Sequence, residues 1–228
     1  MNKKRLIISL LAIITVVGST VGSYVYRDTI YSRIARTAAV VSGQEIKPLL
    51  NSEGRYIRQI VAQDNSTSRT IMWQSDSSEA DAVIEYRFTG SENTQSIGAT
   101  DKVFTDDGST TYIHEGTLTG LTPNTKYEYR VGYGSDRRSD WYSLETAGAS
   151  VYDVLIYPDS QSGDYSQWEE IVKDSAHRNP RTVLYISMGD LVDNGEQDYQ
   201  WRTWLNSIRP LSANVPLATT LGNHEMYT

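Results

Sequence analysis

The 228-residue sequence predicts two domains in series: an all-β sandwich, followed by the first β-α-β-α-β part of an α/β sandwich. Two observations carry this. From Tyr56 to Thr146 the chain consists of short runs of alternating apolar and polar residues, separated by turn clusters at regular intervals. After Gly148 the texture switches to near-continuous apolar runs that alternate with stripes of helical spacing, which is the pattern of a parallel sheet joined by crossover helices.

Residues 1–23 have the order of an export signal. Lys3, Lys4 and Arg5 precede the apolar run Leu6–Val17, and Gly18–Ser23 is small and polar. The run is shorter than the roughly 20 residues of a membrane span, although Tyr24, Val25 and Tyr26 extend it. A cleaved signal peptide and a retained anchor through residues 6–26 are both open. Either one places the folded part outside the cytoplasm: extracellular, in the cell envelope, or membrane-anchored and facing outside. Residues 24–55 read as a linker, with a weak helical pattern over Arg27–Ala39.

Within 56–147 the expected strands surround Ile57 and Ile60, Thr70–Gln74, Ala82–Arg87, Tyr112–Leu118, Tyr127–Tyr133 and Trp141–Thr146. In Ala82–Arg87, Ile84 and Tyr86 alternate with Val83, Glu85 and Arg87, as a half-buried strand requires. Leu118 to Val131, with Pro123 in its corner and Tyr127 entering the next strand, resembles the fibronectin type III pattern. That resemblance implies that the Tyr127 hydroxyl bonds back to the corner backbone and that Trp73 is the early core tryptophan. His114 is expected at the surface or half-buried on its strand.

In 150–228, Val151–Tyr157, Thr182–Met188 and Val215–Leu221 read as strands, the first buried on both faces. Tyr165, Trp168, Ile171, Val172 and Ala176 mark one helix, closed by His177. Trp201, Trp204, Leu205 and Ile208 mark a second. Crossovers of one hand then give a parallel sheet.

Composition removes several functions. A net charge of −7 argues against nucleic acid as a partner, because phosphate backbones need a basic face. With no cysteine, disulfides, thiolate metal sites and cysteine nucleophiles are excluded. Only three histidines are present, His114, His177 and His224.

The polar residues that carry chemistry stand at the carboxyl ends of the last three strands. They are Asp159-Ser160-Gln161, Gly189-Asp190-Leu191-Val192-Asp193-Asn194-Gly195 and Gly222-Asn223-His224-Glu225. Ligands of open parallel sheets bind beyond those ends, so the three motifs are expected to face one crevice. Asp and Asn oxygens with a histidine nitrogen suit Zn, Mn or Fe, and glycines beside them let backbone approach closely.

This ordered set resembles the first three blocks of the calcineurin-like metallophosphoesterases. A fibronectin-III-like domain directly ahead of it is similar to the purple acid phosphatases. The resemblance implies two divalent or trivalent metal ions (Fe, Zn or Mn) and hydrolysis of phosphate monoesters on phosphorylated small-molecule or macromolecular substrates. It further implies that Asp159 and Asn223 each bind one ion, that Asp190 bridges both, and that a metal-activated hydroxide attacks phosphorus. His224 would contact the phosphoryl group or protonate the leaving group. Two residues depart from the pattern. Gln161 stands where many members have a histidine, and either ligates the metal or hydrogen-bonds its water. Asp193 stands where purple enzymes carry the iron-binding tyrosine, so a colourless enzyme is expected.

The family takes further ligands from later histidines. The chain is therefore expected to be truncated before the last ligands, and these residues alone to turn over little. The alternative is a non-catalytic surface-binding module whose phosphoesterase part is degenerate. A third reading is a dimer that borrows ligands from its partner.

Overall fold

A computed structural model describes residues 54–226, apart from 76–77, 79–80, 107–108, 149–150 and 163–164. The export signal or anchor and nearly all of the linker lie outside the described residues. Among the described residues no helix is long and apolar enough to cross a membrane.

The first half is a two-sheet β-sandwich. Strands β1 (Arg55–Ile60), β2 (Arg69–Ser75), β6 (Ser109–Leu118) and β5 (Thr100–Asp106) lie side by side in one sheet. The other sheet runs β4 (Gln95–Gly98), β3 (Ala82–Phe88), β7 (Lys126–Tyr133) and β8 (Arg137–Arg138), with β9 (Tyr142–Glu145) also paired to β7. Alternation does the folding here: Ala82, Ile84 and Tyr86 of β3 are buried, and register places Ile84 opposite Val131 of β7. Trp73, 0% exposed, fills the centre and donates from Nε1 to Tyr133 Oη at 2.9 Å. The Tyr127 hydroxyl accepts the backbone N–H of Thr122 at 2.9 Å, which closes the corner as expected.

His114 corrects its expectation. It is 0% exposed, lies against Trp73 with ring centroids 5.2 Å apart, and meets Tyr133 edge-on. Both ring nitrogens are occupied, Nδ1 with Asp101 Oδ1 at 2.6 Å and Nε2 with Ser75 Oγ at 2.8 Å. An imidazole satisfied at both ends can be buried at little cost.

The second half contains β10 (Asp153–Tyr157), α1 (Ser166–Arg178), β11 (Thr182–Ser187), α2 (Asp198–Ser212) and β12 (Leu217–Thr219). A 3₁₀ turn at His224–Met226 follows. The three strands are parallel, with Leu155, Tyr185 and Leu217 in register. Trp168 and Val172 of α1 pack with Trp204, Ile208 and Leu211 of α2 in the same core as Tyr157, Tyr185 and Leu217. Both helices therefore cover one face, which is what successive crossovers of one hand produce. The expectation that β10 is buried on both faces fails: Ile156, on the opposite face, is 61% exposed.

The halves meet in one sheet. β12 pairs in parallel with β1, Leu217 opposite Ile60, so the strand order is β10-β11-β12-β1-β2-β6-β5. The end of α2 inserts into the sandwich, where Ala213 joins the apolar core. The Ala213 carbonyl, an unpaired group at a helix end, accepts Gln59 Nε2 at 2.9 Å and Tyr129 Oη at 2.7 Å.

Candidate metal centre

Each predicted site residue lies on a loop that leaves a parallel strand, and the loops meet on Asp190. After β10, the amides of Ser160 and Gln161 both donate to the Asp190 carbonyl, at 3.0 and 2.9 Å. Ser160 Oγ donates to the Leu191 carbonyl at 3.2 Å and accepts Trp204 Nε1 at 2.8 Å, which fastens this loop to α2. The Asp159 side chain is left exposed beside it.

After β11, Asp190 takes the left-handed conformation, with φ of 46°. That geometry is costly for an L residue, though least so for Asp and Asn. Gly222 approaches so closely that a Cβ on it would collide with the Asp190 carboxylate, so the third motif needs glycine for space. His224 N donates to Asp190 Oδ1 at 3.0 Å. Gln200, in the first turn of α2, accepts the amides of Asp193 at 2.7 Å and Asn194 at 3.2 Å. Trp201 Nε1 donates to the Gly195 carbonyl at 2.8 Å.

After β12, Asn223 is exposed and His224 is partly buried. Nδ1 of His224 lies 2.7 Å from the Asp193 carbonyl oxygen. A carbonyl can only accept, so Nδ1 carries the hydrogen and the neutral ring has its lone pair at Nε2. The Asp193 carboxylate is 61% exposed and stands 3.6 Å from the same nitrogen.

Three residues beyond the predicted set prove structural to the site: Ser160, Gln200 and Glu225. The Glu225 carboxylate accepts the amides of Asp190, Leu191, Val192 and Gly222. The last of these bonds has a readable signal, because an acid three residues after a turn-opening position reaches back to that residue's N–H, as in a capping box. Gln200 has none, since its role depends on a loop that precedes its helix.

The donor set is mostly oxygen: Asp159, Asp190, Asn223 and Gln161. Among the described residues, Gln161 Oε1 is buried with no hydrogen-bond partner. A buried carbonyl oxygen of that kind fits a cation or its bound water. Among the described residues, no three His, Cys, Asp or Glu side chains cluster tightly enough to enclose an ion. The residues thus fit one open side of an oxygen-rich metal site.

Comparison with known proteins agrees with the order of the two halves. The purple acid phosphatase N-terminal domain model matches residues 56–146, and the calcineurin-like phosphoesterase model matches residues 113–228. A purple acid phosphatase of Glycine max is 30% identical over 124 residues, covering 51% of this chain and 26% of that protein. An Arabidopsis thaliana protein named "Probable inactive purple acid phosphatase 1" is 28% identical over 136 residues, covering 50% of this chain and 22% of that protein. The matched stretch is thus about a quarter of these relatives' length. The structure of a purple acid phosphatase from yellow lupin (Lupinus luteus) superposes with a TM-score of 0.65 at 22% identity. It covers 75% of this chain and 36% of that one.

Proposed function

The chain belongs to the calcineurin-like phosphoesterase family, and on that premise we propose that it is part of an exported, metal-dependent phosphoesterase acting on phosphate monoesters. The observation that carries this reading is the convergence of three strand-end motifs on Asp190. Two amides of the first loop reach its carbonyl, and one amide of the third reaches its carboxylate.

In this reading Asp159, Asp190 and Asn223 hold two metal ions, either Fe, Zn or Mn, with Gln161 Oε1 as a further oxygen donor or the acceptor of a water. When bound, the metals supply charge neutralisation for the phosphoryl oxygens and a nucleophilic oxygen at neutral pH. His224 has its Nδ1–H committed to the Asp193 carbonyl, so in the imidazolium form the Nε2 proton is the one passed to the leaving oxygen, returning the ring to its neutral Nδ1–H form. Asp193 offers a carboxylate where an iron-binding tyrosine would give colour, and the metal-loaded protein is therefore colourless in this reading.

A second reading is a surface module without activity. Two Arabidopsis thaliana relatives named as probable inactive phosphatases favour it, as does the lack of a closed ligand cluster among the described residues. Phosphomonoester hydrolysis by the full-length protein with added Mn, Zn or Fe separates the two. Activity that falls by about 100-fold or more in Asp190→Ala and His224→Ala is expected for the enzyme. Unchanged turnover in either variant rejects the assigned roles, and no turnover with any metal favours the module.

A further inference from the structure

We propose that Glu225 is the positioning residue of the centre, holding the Asp190 loop in its ligand-presenting form before any metal binds. The proposal rests on the reading of Asp190 and Asn223 as metal ligands.

The two oxygens of Glu225 divide four amides between them. Oε2 accepts Asp190 N at 3.0 Å and Gly222 N at 2.7 Å, and Oε1 accepts Leu191 N at 2.6 Å and Val192 N at 3.1 Å. Three of these amides belong to the second loop and one to the third, so a single carboxylate ties both together. The bond to Asp190 N fixes the residue whose φ is 46°. A left-handed Asp relaxes to ordinary backbone unless its surroundings hold it. The tie is reciprocal, because Asp190 Oδ1 accepts His224 N at 3.0 Å while Glu225, the next residue, accepts from Asp190. Each acid caps the other's loop. None of these bonds uses an ion, so the arrangement is complete in the protein alone. A carboxylate offers acceptors at both of its oxygens and an amide at only one, which makes the clasp specific for carboxylate over amide.

Substitution by glutamine tests this with little change of shape. In Glu225→Gln the new NH₂ faces two amide N–H groups that had an acceptor, so two of the four bonds become donor–donor contacts. The full-length protein is measured without metal, in chelator, by amide hydrogen exchange, and then titrated with Mn²⁺ under calorimetry. The native chain is expected to protect the amides of Asp190, Leu191, Val192 and Gly222 without metal. Glu225→Gln is expected to lose that protection by at least about tenfold and to bind Mn²⁺ about 10–100-fold more weakly. Protection of Ile71, Trp73 and Ile84 in the sandwich core is expected to fall by less than that of the four loop amides, which a general loss of folding would not allow. Protection that appears only after Mn²⁺ is added would overturn the proposal. So would a Glu225→Gln chain that binds Mn²⁺ as tightly as the native one. A native chain that protects the amides but binds no Mn²⁺ instead removes the metal reading itself, and the positioning role with it.

Discussion

Glu85 sits on the outer side of β3 among three arginines, where a charged residue has to be argued for. Burial raises its carboxyl pKa, but hydrogen bonds from Arg138 Nε at 2.7 Å and Arg130 Nε at 2.8 Å outweigh that and hold it below the ordinary 4.5. Arg130 and Arg87 also lie over the Trp141 ring, at 4.5 and 4.0 Å from its centroid, and Arg87 pairs with Glu128 at 3.0 Å. Arginine suits such a place because its planar group stacks and forks at once. The sign of the linkage follows from the depressed value. The stabilising contribution is complete above the ordinary glutamate range and is lost as pH falls through the lower folded-state value. Stability measured by urea unfolding is expected to drop between pH 7 and pH 3, and Glu85→Gln to shrink that drop. An equal drop in the variant would show that other carboxylates account for it.

At the scale of elements, the end of α2 is the joint of the molecule. Gln59 uses its whole amide: Nε2 donates to the carbonyls of Ser143 at 2.7 Å and Ala213 at 2.9 Å, and Oε1 accepts Arg69 Nη1 at 2.7 Å. Arg69 reaches the Glu145 carbonyl with Nη2 at 3.1 Å; burial lowers its pKa to about 10, which still leaves it charged at neutral pH. Asn214 Oδ1 adds a bond from Ser143 N at 3.0 Å. Tyr129→Phe removes one bond to an acceptor that keeps another, and is expected to cost about 1 kcal/mol. Gln59→Leu strands a buried cation as well, and is expected to cost about 2–3 kcal/mol. Equilibrium unfolding of both variants checks the order, and a smaller loss for Gln59→Leu would refute it.

For the whole molecule, the seven-stranded sheet crosses from one half to the other, and the described residues share that joint. Unfolding is therefore expected as a single calorimetric transition with equal calorimetric and van't Hoff enthalpies. Two resolved transitions would show the halves to be independent. Much of the fold was readable beforehand, because burial imposes a period: alternation in β3, the stripe of Trp204 and Ile208 in α2, and Tyr127 at its corner all survive in the structure. Strands β4 and β5 leave no alternation in the sequence, since only Ile97 of β4 is partly buried and Thr100–Thr105 of β5 are exposed. The three motifs at three strand ends were legible for a local reason, because glycine and acid residues stand where a chain must turn sharply and satisfy exposed backbone N–H groups. Sequence alone thus determined the two architectures and the three strand-end motifs whose loops meet on Asp190. Tertiary structure alone decided that β12 joins β1, that both helices lie on one face, that His114 is buried, and that Glu225 and Gln200 hold the Asp190 loop. Those outcomes depend on partners distant in the chain, or on directional hydrogen bonds to backbone, and neither leaves a period in the sequence.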